Sequence, residues 1–262
     1  MHKLFTLGQF IMQAKKLLLI FLLFCSCATV AQTRFHVLAL YENGGHHIEY
    51  SKRAKLWLDS LAVDSNFSID YIQNTDNIDE AYLSHYQLFI QLDYAPYAWT
   101  DKAVAAFQKY IEEGRGGWIG FHHATLLGEF DGYKMWDWFS RFMGGIQYKN
   151  YIATFVQATV NVEDKQHPVM KGIPASFIVK KEEFYTYDKS PRPNVHVLAS
   201  VDESTYVPNS DIKMGDHPVV WTNEHYKARN VYIFMGHSPI LFDDPVYKKL
   251  FTNAIFWAAG KN

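Results

Sequence analysis

Gly114-Arg115-Gly116-Gly117-Trp118-Ile119-Gly120-Phe121-His122-His123 decides how the rest of this chain is read. A helix-period run ends at Gly114. A short apolar strand from Trp118 to Phe121 follows and breaks off at two histidines and the small residues Ala124 and Thr125. Gly120, two places before His122, lets the backbone turn sharply and thrust a histidine out at the carboxyl edge of a sheet. In open α/β sheets that edge is where ligands bind. Histidines after a strand can also cap it or pack on aromatic neighbours, so the stretch gains meaning only from what the chain brings beside it.

Upstream, Thr100 caps a predicted helix from Asp101 to Glu113, with Val104, Phe107 and Ile111 as its buried stripe and Gly114 as its stop. Phe35 to Tyr41 reads as a buried first strand, and Glu42-Asn43-Gly44-Gly45-His46-His47 as a glycine-loosened loop after it. A helix from Ser51 to Leu61 places Ala54, Trp57, Leu58 and Leu61 on one face. Phe67 to Ile72 and Tyr86 to Leu92 read as the next two strands, the second suited to burial on both faces. This alternation predicts an α/β fold, a mostly parallel sheet flanked by helices.

Downstream, Tyr133 to Met143 reads as a helix closed by Gly144-Gly145. The second half changes character. Thr154 to Val162, Phe177 to Val179, Val195 to Val201, Pro218 to Thr222 and Val231 to Met235 are strand-like and separated by turns, which predicts antiparallel additions to the sheet. Phe242 to Ala259 returns to helix, with Leu250, Ala254 and Trp257 sharing a face and Gly260 as a stop.

Lys15 and Lys16 precede an apolar run from Leu17 to Phe24, and Thr29-Val30-Ala31 offers small residues for cleavage before Gln32, the layout of a secretory signal. Residues 1–31 are therefore expected to be a signal peptide with an N-terminal extension, and 32–262 a single exported domain, periplasmic or extracellular. The run is too short to span a bilayer, so no transmembrane span is expected in the mature protein. Lipidation at Cys27 is the lesser option, because Phe24-Cys25-Ser26 lacks the small residues such sites prefer. Cys25 and Cys27 are the only cysteines, so the mature chain has neither a disulfide nor a thiol nucleophile. A formal net charge of -2 with dispersed lysines and arginines excludes a nucleic-acid partner. No phosphate loop or dinucleotide fingerprint is present, so no nucleotide cofactor is expected. Oligomerisation is left open.

The ends of strands one and four would bring Glu42, His46 and His47 near His122 and His123. Glu182-Glu183 and Gly236-His237 sit at later strand ends, the second repeating the glycine-then-histidine pattern around His122. Imidazoles and carboxylates gathered at one edge can bind a divalent metal or divide acid and base roles. The candidate catalytic residues are His122, Glu183 and His237. His46, His47, His122 and His237 are candidate metal ligands. His123, Tyr185, Trp136 and Trp221 are candidate substrate contacts, the last three as stacking surfaces. His167-Pro168 and His217-Pro218 read as openings of strands or turns.

Gly116-Gly117-Trp118-Ile119-Gly120-Phe121-His122, Gly144-Gly145, His167-Pro168-Val169, Glu182-Glu183-Phe184-Tyr185, Pro218-Val219-Val220-Trp221, Arg229-Asn230-Val231-Tyr232, Gly236-His237 and Trp257-Ala258-Ala259-Gly260 together resemble the ThuA-like family, named after trehalose utilisation. The resemblance covers essentially the whole mature chain. It implies a flavodoxin-like sheet of the class I glutamine amidotransferase type, with histidine where the amidotransferases place their nucleophilic cysteine. It also implies a role in disaccharide or glycoside metabolism through 3-keto sugars, and zinc or another divalent metal. The family's site falls on His122, Glu183 and His237, with His46 or His47 from the loop after strand one. Glu182-Glu183-Phe184-Tyr185 and Tyr226-Lys227-Ala228-Arg229 depart from the family's Asp-Glu-Leu-Tyr and Gly-Lys-Gly-Arg.

The expectation is an exported carbohydrate-active enzyme that converts a glycoside or 3-keto glycoside by hydrolysis or elimination. Glu183 or a histidine would abstract the proton beside the ketone, and a metal or protonated His122 would stabilise the enolate. The rival is a non-catalytic sugar-binding or partner protein using the same edge. Expressed with its leader in a secreting host, the chain should be recovered outside the cytoplasm with Gln32 as its amino-terminal residue, as N-terminal sequencing would read. An intact leader on the recovered protein refutes the assignment.

Overall fold

The computed structural model describes residues 34–42 and 45–261; the leader expected over residues 1–31 lies outside them. Among the described residues the strands are β1 (His36–Tyr41), β2 (Ser68–Ile72), β3 (Leu88–Leu92), β4 (Gly117–Phe121), β5 (Tyr148–Tyr151), β6 (Val156–Val162), β7 (Ser176–Glu182), β8 (Tyr185–Tyr187), β9 (His196–Val207), β10 (Pro218–Thr222) and β11 (Asn230–Ile233). Nine of them form one sheet in the order β2-β1-β3-β4-β11-β10-β9-β6-β7. From β2 to β11 all neighbours are parallel. From β11 outward every pair is antiparallel. The expected architecture is present: a parallel half with helices on both faces, extended by antiparallel strands from the second half of the chain.

β4 lies inside the parallel half, between β3 and β11, and is buried at every position. On one face Phe121 meets Phe251 at 4.5 Å between ring centroids. Phe251 belongs to the terminal helix Pro245–Ala258, which shares that face with helix Ile48–Ser65 through Trp57 at 4.9 Å. On the other face Trp118 meets Phe142 of the short helix Asp137–Phe142 at 5.0 Å, and helix Asp101–Glu112 adds Phe107 against Phe89 of β3. The two-stranded ribbon of β5 and β8, which the sequence pattern did not reveal, pairs Tyr151 with Tyr185 and Tyr148 with Tyr187.

Element ends shift for local reasons. The helix expected from Tyr133 begins at Asp137, because Phe130 and Tyr133 bridge across a turn with Asp131 at φ 52° and Gly132 at φ 83°. The helix expected from Phe242 begins at Pro245, where Asp244 accepts a hydrogen bond from Val246 N at 2.7 Å and the proline takes the first helical position. A tight 3₁₀ turn, Pro239–Asp243, fills the residues before it. The strand expected over 195–201 continues to Val207. His167 caps a 3₁₀ turn through a bond from Val169 N to its Nδ1, and His217 precedes β10.

Gly120 serves packing instead of the turn expected of it. Its backbone is not left-handed; a Cβ there would stand 2.1 Å from the Trp118 ring. The left-handed residue is His122 itself, at φ 33°. Gly120→Ala should therefore destabilise the fold by roughly 1–3 kcal/mol through overpacking. The expected reading is a lower urea midpoint at unchanged slope. An unchanged midpoint would contradict the packing account.

Candidate active site

The carboxyl ends of β1, β3, β4 and β11 converge on a cleft of about 470 Å³ lined by Glu42, His46, His47, His123, Tyr148, Tyr151, Phe155, Glu183, Tyr185 and His237, among others. His122 opens the 3₁₀ turn His122–Thr125 directly after β4. Its left-handed backbone is sparsely populated for a residue with a Cβ and needs holding. Thr125 Oγ1 and Tyr232 Oη both donate to the His122 carbonyl, each at 3.0 Å. Gly236, in the segment after β11, makes room, since a Cβ there would fall 2.9 Å from His122 Cβ and 2.8 Å from Asp93 Oδ1.

Around this turn the imidazoles crowd together. The ring of His47 lies 5.2 Å from His122, 4.2 Å from His237 and 3.9 Å from His123. Glu183 Oε2 is 3.3 Å from His122 Nε2 and 4.0 Å from His237 Nε2. One ligand atom each from His47, His122, Glu183 and His237 lie within 4.8 Å of one another. Glu42, His47 and His123 form a second group of the same kind, sharing His47. Within it Glu42 Oε2 is 3.1 Å from His123 Nδ1 and 3.2 Å from His47 Nδ1.

Charge follows solvent access. Burial, reinforced by the neighbouring histidines, drives the pKa of His122 well below its ordinary value, and burial lowers His47 as well. Burial together with His47 and His123 brings His237 down to about 3. These rings are neutral at physiological pH, so His122 is not the cation considered from the sequence. Burial raises Glu183. For Glu42 burial opposes ionisation, but the hydrogen bond with His123 and the close contact with His47 outweigh it and hold the carboxyl at about 2.

His122, Glu183 and His237 thus stand together as expected, with His47. His46 is exposed on the cleft wall and belongs to neither group within ligand distance. Tyr185 lines the cleft, its ring 4.3 Å from His122. Trp221 and Trp136 do not line it. Trp221 is 1% exposed and packs on Tyr232 at 4.3 Å, because β10 is buried along its length. Trp136 is wedged among Trp99, Phe107, Trp138 and Phe139. Their large apolar areas serve the core.

Four residues of the site were given no role from the sequence, although Glu42 and Glu182 were placed at its edge. Glu42 partners two histidines, although its place at the end of β1 beside His46 and His47 hinted at it. Tyr148 and Phe155 come from the unforeseen ribbon and the entry to β6. Glu182 is fully buried, and its carboxylate accepts from His237 N at 3.1 Å and Glu183 N at 3.0 Å. Strict alternation from Phe177 and Val179 would have turned Glu182 outward. A register shift between β6 and β7 just before it turns it inward.

Residues 36–258 match the ThuA family, described as trehalose utilisation. The chain belongs to the ThuA family. A ThuA-like protein from Bacteroides uniformis is 29% identical with a TM-score of 0.78, over 89% of this chain and 94% of that one. A second ThuA-like protein, from Parabacteroides merdae, is 19% identical with a TM-score of 0.64, over 86% of this chain and 90% of that one. The glutaminase domain of Trypanosoma brucei CTPS shares the fold at 11% identity and a TM-score of 0.53, over 86% of this chain and 94% of that one. No curated protein matches the chain. The glutaminase-like sheet expected from the resemblance is therefore present in this ThuA protein.

The depressed histidines should cost this ThuA protein stability in acid. The unfolded chain takes up a proton at His237 near pH 6.5 that the fold refuses until about pH 3, so stability falls as pH drops across that window. Glu42 adds a loss of the same sign between 4.5 and about 2. His237→Gln should flatten the decline of melting temperature between pH 6.5 and pH 4. An identical slope in the variant would show that His237 does not cause it.

Proposed function

We propose that the protein is a carbohydrate-active enzyme that acts on a glycoside carrying a ketone at C3, and releases the aglycone by elimination. The supporting observation is the pairing of His123 with Glu42. Nδ1 of His123 faces two acceptors, Glu42 Oε2 at 3.1 Å and the Asp93 carbonyl at 3.1 Å. Nδ1 therefore carries the hydrogen, and Nε2, with no protein partner among the described residues, keeps its lone pair.

The ketone acidifies the hydrogen on C2. His123 Nε2 accepts that proton, and the bonding electrons pass into the enolate. The resulting imidazolium is stabilised by the ionised Glu42 carboxylate. The enolate then re-forms the ketone, its carbon–carbon electrons become a C1–C2 double bond, and the bond from C1 to the glycosidic oxygen breaks, while the imidazolium returns the proton to the departing aglycone oxygen. Tyr185 and Tyr148 flank the cleft where the sugar would lie. Hydrolysis by two free carboxylic acids is less favoured, because Glu42 and Glu183 are both engaged by imidazoles.

The donor set fits a divalent ion such as zinc. His47, His122 and His237 are neutral, as ligands must be, and Nε2 of His47 is buried without a hydrogen-bond partner among the described residues. With Glu183 they would hold it, and when bound it would supply electrophilic stabilisation of the enolate oxygen. On this reading, of the two bases considered from the sequence, Glu183 or a histidine, Glu183 acts as a ligand and His123 takes the proton. Export to the periplasm or beyond belongs to the proposal, supported by the apolar run from Leu17 to Phe24.

On 3-keto glycosides, His123→Ala should lower kcat by about 10²–10⁴-fold with KM within tenfold, the loss expected of a missing proton-transfer group. Elemental analysis should find about one equivalent of divalent metal in the parent, and little in His122→Ala. A parent that binds sugars without turning any over would be a binding protein instead.

A further inference from the structure

A second cleft, of about 490 Å³, adjoins the first at Glu42 and Gly45 and extends over the ends of β2 and β3. Its remaining wall includes Gln73, Asn74, Tyr94 and Tyr97. None of these takes part in the imidazole cluster, and Glu42 at the junction is the one charged residue on the lining. We infer that this cleft is a subsite for a second, uncharged sugar ring, so that the substrate is a disaccharide or larger glycoside bridging both clefts. This inference rests on the sugar reading of the first cleft.

The chemistry of the wall argues for it. Gln73 Nε2 donates to Tyr41 Oη at 2.5 Å, and Asn74 Oδ1 accepts from Asp76 N at 3.1 Å. The carbonyl of Gln73 and the amide nitrogen of Asn74 have no protein partner among the described residues, so one acceptor and one donor remain on adjacent residues. Vicinal hydroxyls, each both donor and acceptor, satisfy such a pair; an anionic ligand would find no counter-ion on this wall and would face the Glu42 carboxylate instead. Tyr94 and Tyr97 add aromatic rings with polar tips, suited to the apolar face and hydroxylated rim of a pyranose.

The loop carrying the tyrosines is built, not slack. Asp93 and Ala98 bracket it at φ 50° and 59°, a conformation rare for residues with a Cβ. Gln91 Nε2 donates to the Tyr94 carbonyl at 2.5 Å, and Trp99 Nε1 donates to the Ala95 carbonyl at 3.1 Å. The Tyr97 ring is propped by Phe130 at 5.5 Å and Tyr133 at 6.0 Å. Held in this way, the rings lose little freedom when a ligand arrives.

The test compares the mature protein with its Asn74→Ala/Tyr97→Ala variant, using calorimetric titration with methyl glucoside, trehalose, cellobiose and their 3-keto forms. The expected result is that the parent binds at least one disaccharide about tenfold or more tightly than the corresponding methyl glycoside. The double variant should lose that advantage while keeping its methyl glycoside affinity. Tyr97→Phe, which keeps the ring and its packing, should retain most of the advantage. Equal affinities for one-ring and two-ring sugars, or an advantage that survives in the double variant, overturn the subsite alone. A parent that binds none of these sugars overturns the subsite and the sugar reading together.

Discussion

Exclusion of water from three neighbouring imidazoles, those of His47, His122 and His237, is the condition on which this site rests. His122 is fully buried, and His47 and His237 nearly so. Were two such rings charged about 5 Å apart, their repulsion would cost roughly 3 kcal/mol at an effective dielectric near 20. Burial removes that cost by keeping the rings neutral, and one nitrogen of each lies within 4.8 Å of the others. A cluster that repels itself when protonated is poised to take a cation in place of the protons. The same physics makes the fold sensitive to acid, so ligand capacity and acid lability are two readings of one arrangement.

Four acids around these rings are made different by their surroundings alone. Glu42 is ionised because two imidazoles lie against it. Glu183 is raised by burial yet lies against His122 and His237. Glu182, pushed up to about 8 by burial although backbone N–H groups bond to it, fastens the loop after β11 to the end of β7. Those two segments carry His237 and Glu183, so the contact between them depends on Glu182. Asp93 is buried with both carboxyl oxygens unpartnered among the described residues, and burial with Glu182 and Glu42 nearby keeps it protonated. Its backbone carbonyl, not its side chain, serves the site by orienting His123.

How much of this could be read from the chain depended on the range of the interactions. Strand-helix alternation is local, so β1, β3, β4 and the helices Ile48–Ser65 and Asp101–Glu112 emerged within a few residues of their observed bounds, whereas the single-turn helix Glu80–Leu83 did not. The histidines at strand ends were legible because strand periodicity predicts where a side chain leaves the sheet. The pairing of β5 with β8 joins segments whose short runs carry no period of their own, and it stayed hidden. Trp136 and Trp221 were read as ligand surfaces because residue type alone does not tell a core tryptophan from an exposed one; neighbours decide. Gly120 was assigned a turn when its partner was Trp118, two residues away on the same face of the strand. The register shift that buries Glu182 is likewise a matter between two strands.

The position of β11 explains why so many distant residues are required. It is the last strand in the chain, yet it lies beside β4 and divides the parallel half of the sheet from the antiparallel half. Its parallel pairing sets Ile233 beside Phe121, so the segments that leave both strands run on into the same space. His122 and His237, more than a hundred residues apart, therefore meet only once the antiparallel strands have been laid down and β11 inserted. Closing so long a loop costs conformational entropy that no contact within the site could offset. That cost is met by the buried strands on either side, which also hold the left-handed turn at His122. The site is thus a property of the whole sheet, in agreement with a family match that runs from the first residue of β1 to the end of the terminal helix.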